Sequence, residues 1–291
     1  MKLKLVSENN FPTAAGLASS AAGFAALVRA TADLYELAST PTELSRIARQ
    51  GSGSACRSLF GGYTAWEMGH QADGSDSEAR EVAAATHWPG MRAVILVASA
   101  AKKAVGSTAG MQATVATSAL FATRATVLVP ERMAKMTDAI RDRDFKAFAE
   151  LTMRDSNNFH ACCLDTAPPI FYLNDTSRAA IRAVEAINAA AGAPVAAYTF
   201  DAGPNAVIFY LEENEKAVAG AFKALLEQTD GWQSGRGKGV KFGDARILDP
   251  AVATALKEGI SRVILTAVGD GPKRVEMHLV DEKGEALSVA K

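Results

Sequence analysis

Hydrophobic and polar residues alternate at the start of the chain and then adopt helical spacing. Residues 2–6 read Lys-Leu-Lys-Leu-Val, a pattern that predicts a strand with one solvent-facing side. Apolar residues then recur near one face of a helix over residues 17–37. A second helix is predicted over residues 41–51, because Thr40 and Glu43 form a capping box around a proline at the first helical position.

The rest of the chain mixes helical and strand patterns. Residues 117–193 are predicted to be mainly helical, with a helix from Pro130 to about Arg143, a shorter helix capped by Asp144, a break at 166–169 and a helix over 174–191. Strands are predicted over 62–68, 91–99, 195–200, 206–211 and 261–268, a helix over 215–228, and a mobile surface loop over 231–243. Strands and helices do not alternate strictly, so the predicted fold class is α+β in two lobes, with domains at 1–90 and 91–291.

Composition narrows the class of protein. The chain has 291 residues, of which 48% are hydrophobic, enough for about two domains with sizeable cores. Its 31 basic and 32 acidic residues nearly cancel, so no global field favours nucleic acid or an anionic membrane as a partner. The three cysteines include an adjacent pair and no C-x-x-C motif, which favours a reducing compartment. We find no apolar run of spanning length, and the cytosol is the expected location.

A loop of small residues runs into the first predicted helix. It spans residues 9–23 and contains Gly16, Ser19 and Ser20. The first N–H groups of a helix lack intrahelical partners and lie at the positive end of its dipole, so a phosphate binds well there. Glycine lacks the Cβ that would block approach, and the hydroxyls add donors. The alternative is a tightly packed helix whose small residues let a neighbour lie close.

Two further helix starts share this composition. Residues 51–58 place Arg57 in a first turn, where a cation is unfavourable unless an anion is bound. Arginine can bind a carboxylate or phosphate through two parallel hydrogen bonds, although a surface arginine paired with an acid is the commoner case. Ser107 and Thr108 follow two lysines at 102–103 and form a third candidate anion site; such lysines are usually only solvated.

Acidic and imidazole side chains supply the candidate acid–base chemistry. Asp201 begins the hairpin turn Asp-Ala-Gly-Pro-Asn, where a carboxylate commonly caps nearby N–H groups but is also able to orient or accept a hydroxyl proton. His160 lies in a polar helical segment, 154–165, that is expected to frame a cleft; it is a candidate base or a hydrogen-bonded structural histidine. The acidic turn at 73–77 lacks the closing glutamate of a calcium loop, so we predict no metal there.

Four separated motifs together resemble one enzyme family. Residues 12–21, Pro-Thr-Ala-Ala-Gly-Leu-Ala-Ser-Ser-Ala, look like the ATP-phosphate loop of the galactokinase, homoserine kinase, mevalonate kinase and phosphomevalonate kinase superfamily. With residues 51–58, 155–157 and 201–205 in the same order, the resemblance narrows to the diphosphomevalonate decarboxylases of the eukaryotic type and covers essentially the whole chain. It implies a ribosomal-protein-S5-like lobe, a ferredoxin-like C-terminal lobe and a homodimer.

The resemblance also implies a role for each motif. Asp201 is the expected catalytic carboxylate, and Arg57 is expected to hold the substrate carboxylate. The expected substrate-binding residues are Ser52, Gly53, Ser54, Ala55, Cys56, Arg57 and Thr108, and the expected ATP-binding residues are Pro12, Ala14, Ala15, Gly16, Leu17, Ala18, Ser19, Ser20 and Ser107. ATP is the implied cosubstrate and Mg²⁺ the implied cofactor, with the metal ligands unassigned.

The implied reaction phosphorylates the tertiary 3-hydroxyl of mevalonate 5-diphosphate and then eliminates phosphate and CO₂ to give isopentenyl diphosphate. Phosphate is a far better leaving group than an alkoxide, which explains the use of ATP. Family members carry an N-terminal segment ahead of the phosphate loop, with Tyr and Lys that bind the substrate diphosphate, and this sequence begins after it. From that departure we expect weak or no decarboxylase activity. A kinase of the superfamily that does not decarboxylate, and a non-catalytic remnant, remain the alternatives.

Overall fold

The computed structural model describes residues 3–11, 13, 16–98 and 104–287. The chain forms two compact units. Unit 1 comprises residues 1–12, 18–84 and 269–291, and unit 2 comprises residues 13–17 and 85–268. Residues 269–291 belong with unit 1 because Gly62 N donates a hydrogen bond to Gly269 O at 2.8 Å. The domain boundary predicted at residue 90 stays a prediction.

Unit 1 packs helices against a short hairpin. Its elements are α1 (Ser19–Leu34), α2 (Pro41–Gly51), the 3₁₀ helix Gly53–Leu59, β1 (Tyr63–Trp66) and β2 (Ala79–Ala83). Strands β1 and β2 pair antiparallel, with Trp66 opposite Ala79. The core between the helices consists of small residues and leucines, namely Ala21, Ala25, Ala32, Leu44, Ala48, Ala55 and Leu59. Small side chains of this kind let the helices lie close together.

The capping box at the start of α2 is confirmed. Glu43 N donates to Thr40 Oγ1 at 3.2 Å, and Thr40 N donates to a Glu43 carboxylate oxygen at 2.7 Å. Both donors would otherwise lack a partner at a helix start. The prediction of a helix over 17–37 is also confirmed, although α1 begins at Ser19 and ends at Leu34.

The strand predicted at residues 2–6 is wrong for the residues that the structure describes. Residues 3–6 adopt no strand, and none of the described strands pairs with them. A strand requires a hydrogen-bonded neighbour, so alternation alone is insufficient. Lys4 instead forms an exposed ion pair with Glu285 at 2.7 Å.

Unit 2 is built on an antiparallel sheet with the strand order β4-β5-β3-β6. Its strands are β3 (Met91–Val97), β4 (Ala196–Thr199), β5 (Ala206–Leu211) and β6 (Arg262–Ala267). Its helices are α3 (Ser107–Thr117), α4 (Ala119–Thr123), α5 (Val129–Asp142), α6 (Phe145–Asp165), α7 (Asp175–Ala191), α8 (Ala219–Leu225) and α9 (Pro250–Gly259), with a π-helical turn at Arg124–Leu128. Two sheets with helices packed on them confirm the α+β class.

The core of unit 2 lies between this sheet and its helices. Side chains of β3 and β5 such as Leu96, Ile208 and Tyr210 are buried together with Ile187 of α7 and Leu256 of α9. The hairpin predicted across residues 195–211 is confirmed, because β4 and β5 pair antiparallel on either side of the turn. Strand β4 lies at the sheet edge, and Asp201, two residues after its end, is exposed.

Several predicted elements of unit 2 need correction. The helix capped by Asp144 is not short, because α6 continues for 21 residues through the polar segment 154–165. The loop over 231–243 is not purely a surface loop, since Lys223 Nζ is buried and donates to the carbonyls of Gly237 and Val240 at 2.9 and 2.7 Å. The helix predicted over 215–228 is shorter, because α8 spans only Ala219–Leu225. Helix α9 was not predicted, although Asp249 and the proline that follows it form a helix start.

No single helix in the described ranges is long and apolar enough to cross a membrane. Two helical segments, Ser107–Thr117 and Ala119–Asp142, are long and apolar enough for a membrane span only when they are taken together. They are bent by 91° relative to each other, and the match is by length and composition only.

The capping box yields a stability prediction. Replacing Thr40 by alanine removes the acceptor for Glu43 N, and we expect it to lower the free energy of unfolding by about 1 kcal/mol. Thr254→Ala is the matched control, because Thr254 is exposed inside α9 and donates only to the carbonyl of Pro250. Thermal unfolding followed by circular dichroism measures both variants. Equal midpoints for the two variants would contradict the prediction.

Candidate active site

Three neighbouring elements hold the turn that carries Asp201. Phe200 N donates to Ser156 Oγ of α6 at 3.2 Å, and Gly203 N donates to Asp201 O at 2.8 Å. The other end of the turn is held from α7 and from the residue after β3: Ser177 Oγ donates to Pro204 O at 2.8 Å, and Ala98 N donates to Asn205 Oδ1 at 2.7 Å. The backbone is therefore fixed on both sides of an aspartate whose side chain reaches solvent.

The predicted phosphate loop contacts this turn at Gly16. Gly16 is buried and has φ 74°, in the left-handed region that favours glycine. A Cβ at this position would lie 2.8 Å from Gly203 Cα and 2.9 Å from Gly203 N, closer than atoms of this kind approach. Two glycines thus let the backbone of the loop lie directly against the backbone that follows Asp201.

Tyr172 links the same turn to the start of α3. A Cβ on Gly110 would meet the Tyr172 hydroxyl, so the phenol lies against the first turn of α3. Tyr172 also packs in one cluster with Ala202 and Val105. Burial raises the pKa of Tyr172, and the charges of Cys163 and Asp201 raise it further, so the phenol stays protonated at neutral pH. The candidate residues Ser107 and Thr108, at the start of α3, therefore lie on the side of unit 2 that carries Asp201.

Helix starts in this chain differ in whether a side chain caps them. Helices α2, α6, α7 and α9 begin with a side chain that accepts a hydrogen bond from the first turn. Helices α1 and α3 begin at Ala18 and Gly106, which supply no such cap, and neither has an acidic residue in its first turn. Uncapped N–H groups at the positive end of a helix favour an anionic ligand. The starts of α1 and α3 therefore suit such a ligand, but the short helices α4 and α8 also lack a side-chain cap and a first-turn acid, so this feature alone does not identify a phosphate site.

His160 is buried beneath the Asp201 turn. Burial lowers its pKa from 6.5 to about 4, while backbone hydrogen bonding with Phe200 and the charge of Asp201 partly oppose this shift. The imidazole is therefore neutral at pH 7. None of the described residues forms a hydrogen bond with its Nε2 atom. Its ring lies edge-on to Phe159, with ring centroids 4.9 Å apart. Its role as a base stays a hypothesis.

In unit 1, the start of α1 lies beside the predicted substrate loop. The hydroxyl oxygens of Ser20 and Ser52 are 3.0 Å apart, and Ser52 precedes the 3₁₀ helix Gly53–Leu59. Two predicted residues of this helix, Ala55 and Cys56, have fully buried side chains, so only their backbone groups are available to a ligand. Burial raises the pKa of the Cys56 thiol, which keeps it protonated.

Arg57 is the exposed cation of this 3₁₀ helix. Its guanidinium carbon lies 5.6 Å from the centroid of the Trp66 ring. In the ranges that the structure describes, no acid forms an ion pair with Arg57, so the alternative of a surface salt bridge is not found there. The planar donor edge of the guanidinium therefore suits a carboxylate supplied by a ligand.

The remaining predicted residues divide by exposure. Ala18, Ser20 and Thr108 are exposed, whereas Leu17, Ser19, Ser52, Gly53, Ser54 and Ser107 are half-buried. Pro12, Ala14, Ala15 and the two lysines at 102–103 lie outside the described residues. No local pattern in the sequence points to Tyr172, Ser177 or Trp66 as part of the site. Their roles depend on partners far away in the chain. Only the polar segment 154–165, which contains Ser156, offered a signal that its residues border the site.

Side-chain clusters typical of a protein-held metal are not found among the described residues. No group of three or more His, Cys, Asp or Glu side chains there is able to hold an ion. The candidate residues Asp201, Ser107 and Thr108 carry oxygen donors, the kind of ligand that Mg²⁺ prefers.

Comparisons with known proteins cover nearly the whole chain. Residues 1–79 match the family described as diphosphomevalonate decarboxylase-like N-terminal domain, and residues 93–275 match the mevalonate 5-diphosphate decarboxylase C-terminal domain. The diphosphomevalonate decarboxylase of Aspergillus fumigatus is 63% identical, over 99% of this chain and 73% of its own length.

Two solved structures extend the comparison to the fold. A crystal structure of mevalonate 5-diphosphate decarboxylase has a TM-score of 0.85 at 50% identity, covering 96% of this chain and 73% of that one. A second, described as MDDEF in complex with MVAPP, AMPPCP and magnesium, has a TM-score of 0.68 at 29% identity, covering 90% and 68%.

The approach of Gly16 to Gly203 yields a binding prediction. Gly16→Ala must move the loop away from the turn, so we expect affinity for ATP, the ligand implied for this loop, to fall at least about tenfold, equivalent to about 1.4 kcal/mol. Gly192→Ala is the matched control: Gly192 has φ 70° but meets no atom within 4 Å. Calorimetric titration with AMPPCP and Mg²⁺ measures both. Equal affinities in the two variants would contradict a role for the close approach.

Proposed function

Because this chain belongs to the diphosphomevalonate decarboxylase family and has its ATP-dependent decarboxylase activity in the mevalonate pathway, we propose how its own residues carry out that reaction. Asp201 is the catalytic carboxylate, and Arg57 holds the carboxylate of mevalonate 5-diphosphate. The observation that carries the proposal is the fixed backbone on both sides of the exposed Asp201 side chain, in direct contact with the phosphate loop at Gly16.

Asp201 acts on the 3-hydroxyl of the substrate. Its carboxylate orients the hydroxyl and accepts its proton as the oxygen bonds to the terminal phosphorus of ATP and ADP leaves. The carbon–oxygen bond to the new phosphate group then breaks. The electron pair of the bond to the carboxyl carbon forms the new double bond, and CO₂ and isopentenyl diphosphate result. The protein contributes position and charge more than covalent chemistry.

Arg57 meets the carboxylate that is lost as CO₂. Its guanidinium carbon lies over the Trp66 ring and no described acid pairs with it, so two parallel hydrogen bonds to a carboxylate are available. The backbone groups of residues 52–56 and the Thr108 hydroxyl line the rest of the substrate site. Arg57 thus holds the substrate by its carboxylate, the group that leaves last. This contact keeps the 3-hydroxyl in a defined orientation.

The phosphates of ATP bind at the two uncapped helix starts. The loop over residues 12–20 is the proposed binding segment for these phosphates, and Ser107 at the start of α3 is the proposed contact of the terminal ones. Neither helix start has a capping side chain or a first-turn acid, which supports this assignment. When bound, Mg²⁺ neutralises charge on the transferred phosphate, and the complex with MVAPP, AMPPCP and magnesium of the related structure supports its presence here.

We propose the finer architecture on the same family relationship. Unit 1 corresponds to the S5-like lobe and unit 2 to the ferredoxin-like lobe, with the domain boundary near residue 90. A homodimer is expected, and the exposed apolar side chains of Met111, Val115 and Leu120 are a suitable surface for it. The three cysteines are free thiols, which suits a reducing compartment and supports a cytosolic location.

The test of Asp201 is its replacement by asparagine. Asp201→Asn keeps the shape but cannot accept the proton, so we expect kcat to fall by about 10²–10⁴, with the KM values for both substrates changed only a few fold. ADP formation and the release of CO₂ from carboxyl-labelled substrate should fall together, because phosphorylation precedes elimination. Asp175→Asn is the control, since Asp175 is exposed and its ion pair in the described part of the chain is with Arg178, one turn away.

Two outcomes would contradict the proposal. If Asp201→Asn lost CO₂ release but kept ADP formation, the carboxylate would act in elimination and not in phosphoryl transfer. If the unaltered chain formed ADP from mevalonate 5-diphosphate without CO₂, it would be a kinase only.

A further inference from the structure

The indole of Trp66 contacts the predicted substrate helix at two points. Trp66 is the last residue of β1. Atoms Cη2 and Cζ3 of its ring lie where a side chain at position 53 would stand, because a Cβ on Gly53 would be 2.8 and 3.3 Å from them. The same ring lies under the Arg57 guanidinium, one turn further along the 3₁₀ helix, at 5.6 Å from centroid to Cζ. One ring therefore contacts both the start of the helix and its exposed cation.

A hydrogen-bond chain fixes the orientation of the ring. Trp66 Nε1 donates to Ser77 Oγ at 3.0 Å, and the Ser77 hydroxyl donates to the carbonyl of Glu67 at 3.2 Å. Ser77 is only 7% exposed, so this chain is protected from competing water. Since β1 pairs with β2 directly opposite Trp66, the backbone that carries the indole is also fixed.

The position of Arg57 over the Trp66 ring suits the binding of a carboxylate. The face of an aromatic ring attracts a guanidinium without accepting conventional hydrogen bonds from all its N–H groups, so donors remain for a ligand. A neutral ring also restrains the long arginine side chain without neutralising its charge, whereas an acidic partner would neutralise it. The described acids leave Arg57 unpaired, so the indole is the principal contact that restrains its head group.

We propose that Trp66 is a positioning residue: it orients Arg57 for the substrate carboxylate and never touches the substrate itself. The inference rests on the proposed function of Arg57 and adds the residue that makes this arginine selective for a planar, two-oxygen anion at one location. Gly53 contributes to the same arrangement of contacts, because only glycine leaves room for the Trp66 ring at the start of the helix.

The test is a double-mutant cycle between Trp66 and Arg57. An exposed cation–π contact corresponds to about a two- to fivefold change in affinity, so we expect Trp66→Leu to raise the Kd and KM for mevalonate 5-diphosphate by about that factor. The KM for ATP should stay constant. In the Arg57→Gln background, Trp66→Leu should produce no further change in the Kd for mevalonate 5-diphosphate, measured by calorimetric titration.

Two further variants separate stacking from folding. Trp66→Phe keeps an aromatic face under Arg57 and should recover most of the affinity that Trp66→Leu loses. Ser77→Ala removes the acceptor of the indole N–H but leaves the ring, so we expect a smaller increase in the Kd that also disappears in the Arg57→Gln background. If Trp66→Leu does not fold, the Trp66→Phe and Ser77→Ala variants carry the same cycle.

Each result has a distinct meaning. An equal loss of affinity from Trp66→Leu with and without Arg57, or no loss at all, would overturn the positioning role of Trp66 and leave the role of Arg57 intact. An Arg57→Gln variant with unchanged affinity for mevalonate 5-diphosphate would instead contradict the proposed function of Arg57 itself. Non-additive loss together with recovery in Trp66→Phe supports the inference.

Discussion

The hydrogen bonds that hold the turn at residues 200–205 are the constraint on which the rest of the site depends. An exposed carboxylate at a sheet edge has no burial of its own to fix it, so its orientation must come from the backbone. Three hydrogen bonds supply that order. Ser156 of α6 accepts from Phe200 N, Ser177 of α7 donates to Pro204 O, and Asn205 accepts from the backbone N–H of Ala98, which follows β3. Because the turn is rigid, the phosphate loop is able to lie against Gly203, and the proposed transfer of a phosphate group has a defined acceptor position.

The helix starts of this chain differ in whether a side chain accepts a hydrogen bond from the first turn. Such a side chain is present at four of the described helices, as Thr40 is for α2 and Asp249 for α9. At α1 and α3, where we propose that phosphate binds, none is present, and the same holds for α4, α5 and α8. A capped terminus is more stable in the absence of ligand, whereas an uncapped one retains its affinity for an anion. The absence of a cap is therefore compatible with the proposed phosphate sites but does not identify them.

The sequence predicts best those features whose signals come from residues close together in the chain. The capping box of α2 and the hairpin at 195–211 depend on residues close together in the chain, and both were predicted. The strand at 2–6 failed because alternation says nothing about a pairing partner. The helix α6 continued through Arg154–Asp165 because Asp155 pairs with Arg124 and Arg132, which no local pattern reveals. Trp66 and Tyr172 were missed for the same reason.

The most direct test observes which backbone N–H groups meet the triphosphate. Amide chemical shifts can be followed by NMR as AMPPCP and Mg²⁺ are added to the labelled protein. We expect the largest changes at Gly16, at residues 18–20, at residues 107–110 and at Gly203, with none at residues 42–44, where Thr40 already caps the helix. Changes at 42–44 as large as those at 18–20, or no change at 18–20, would contradict the proposed phosphate site.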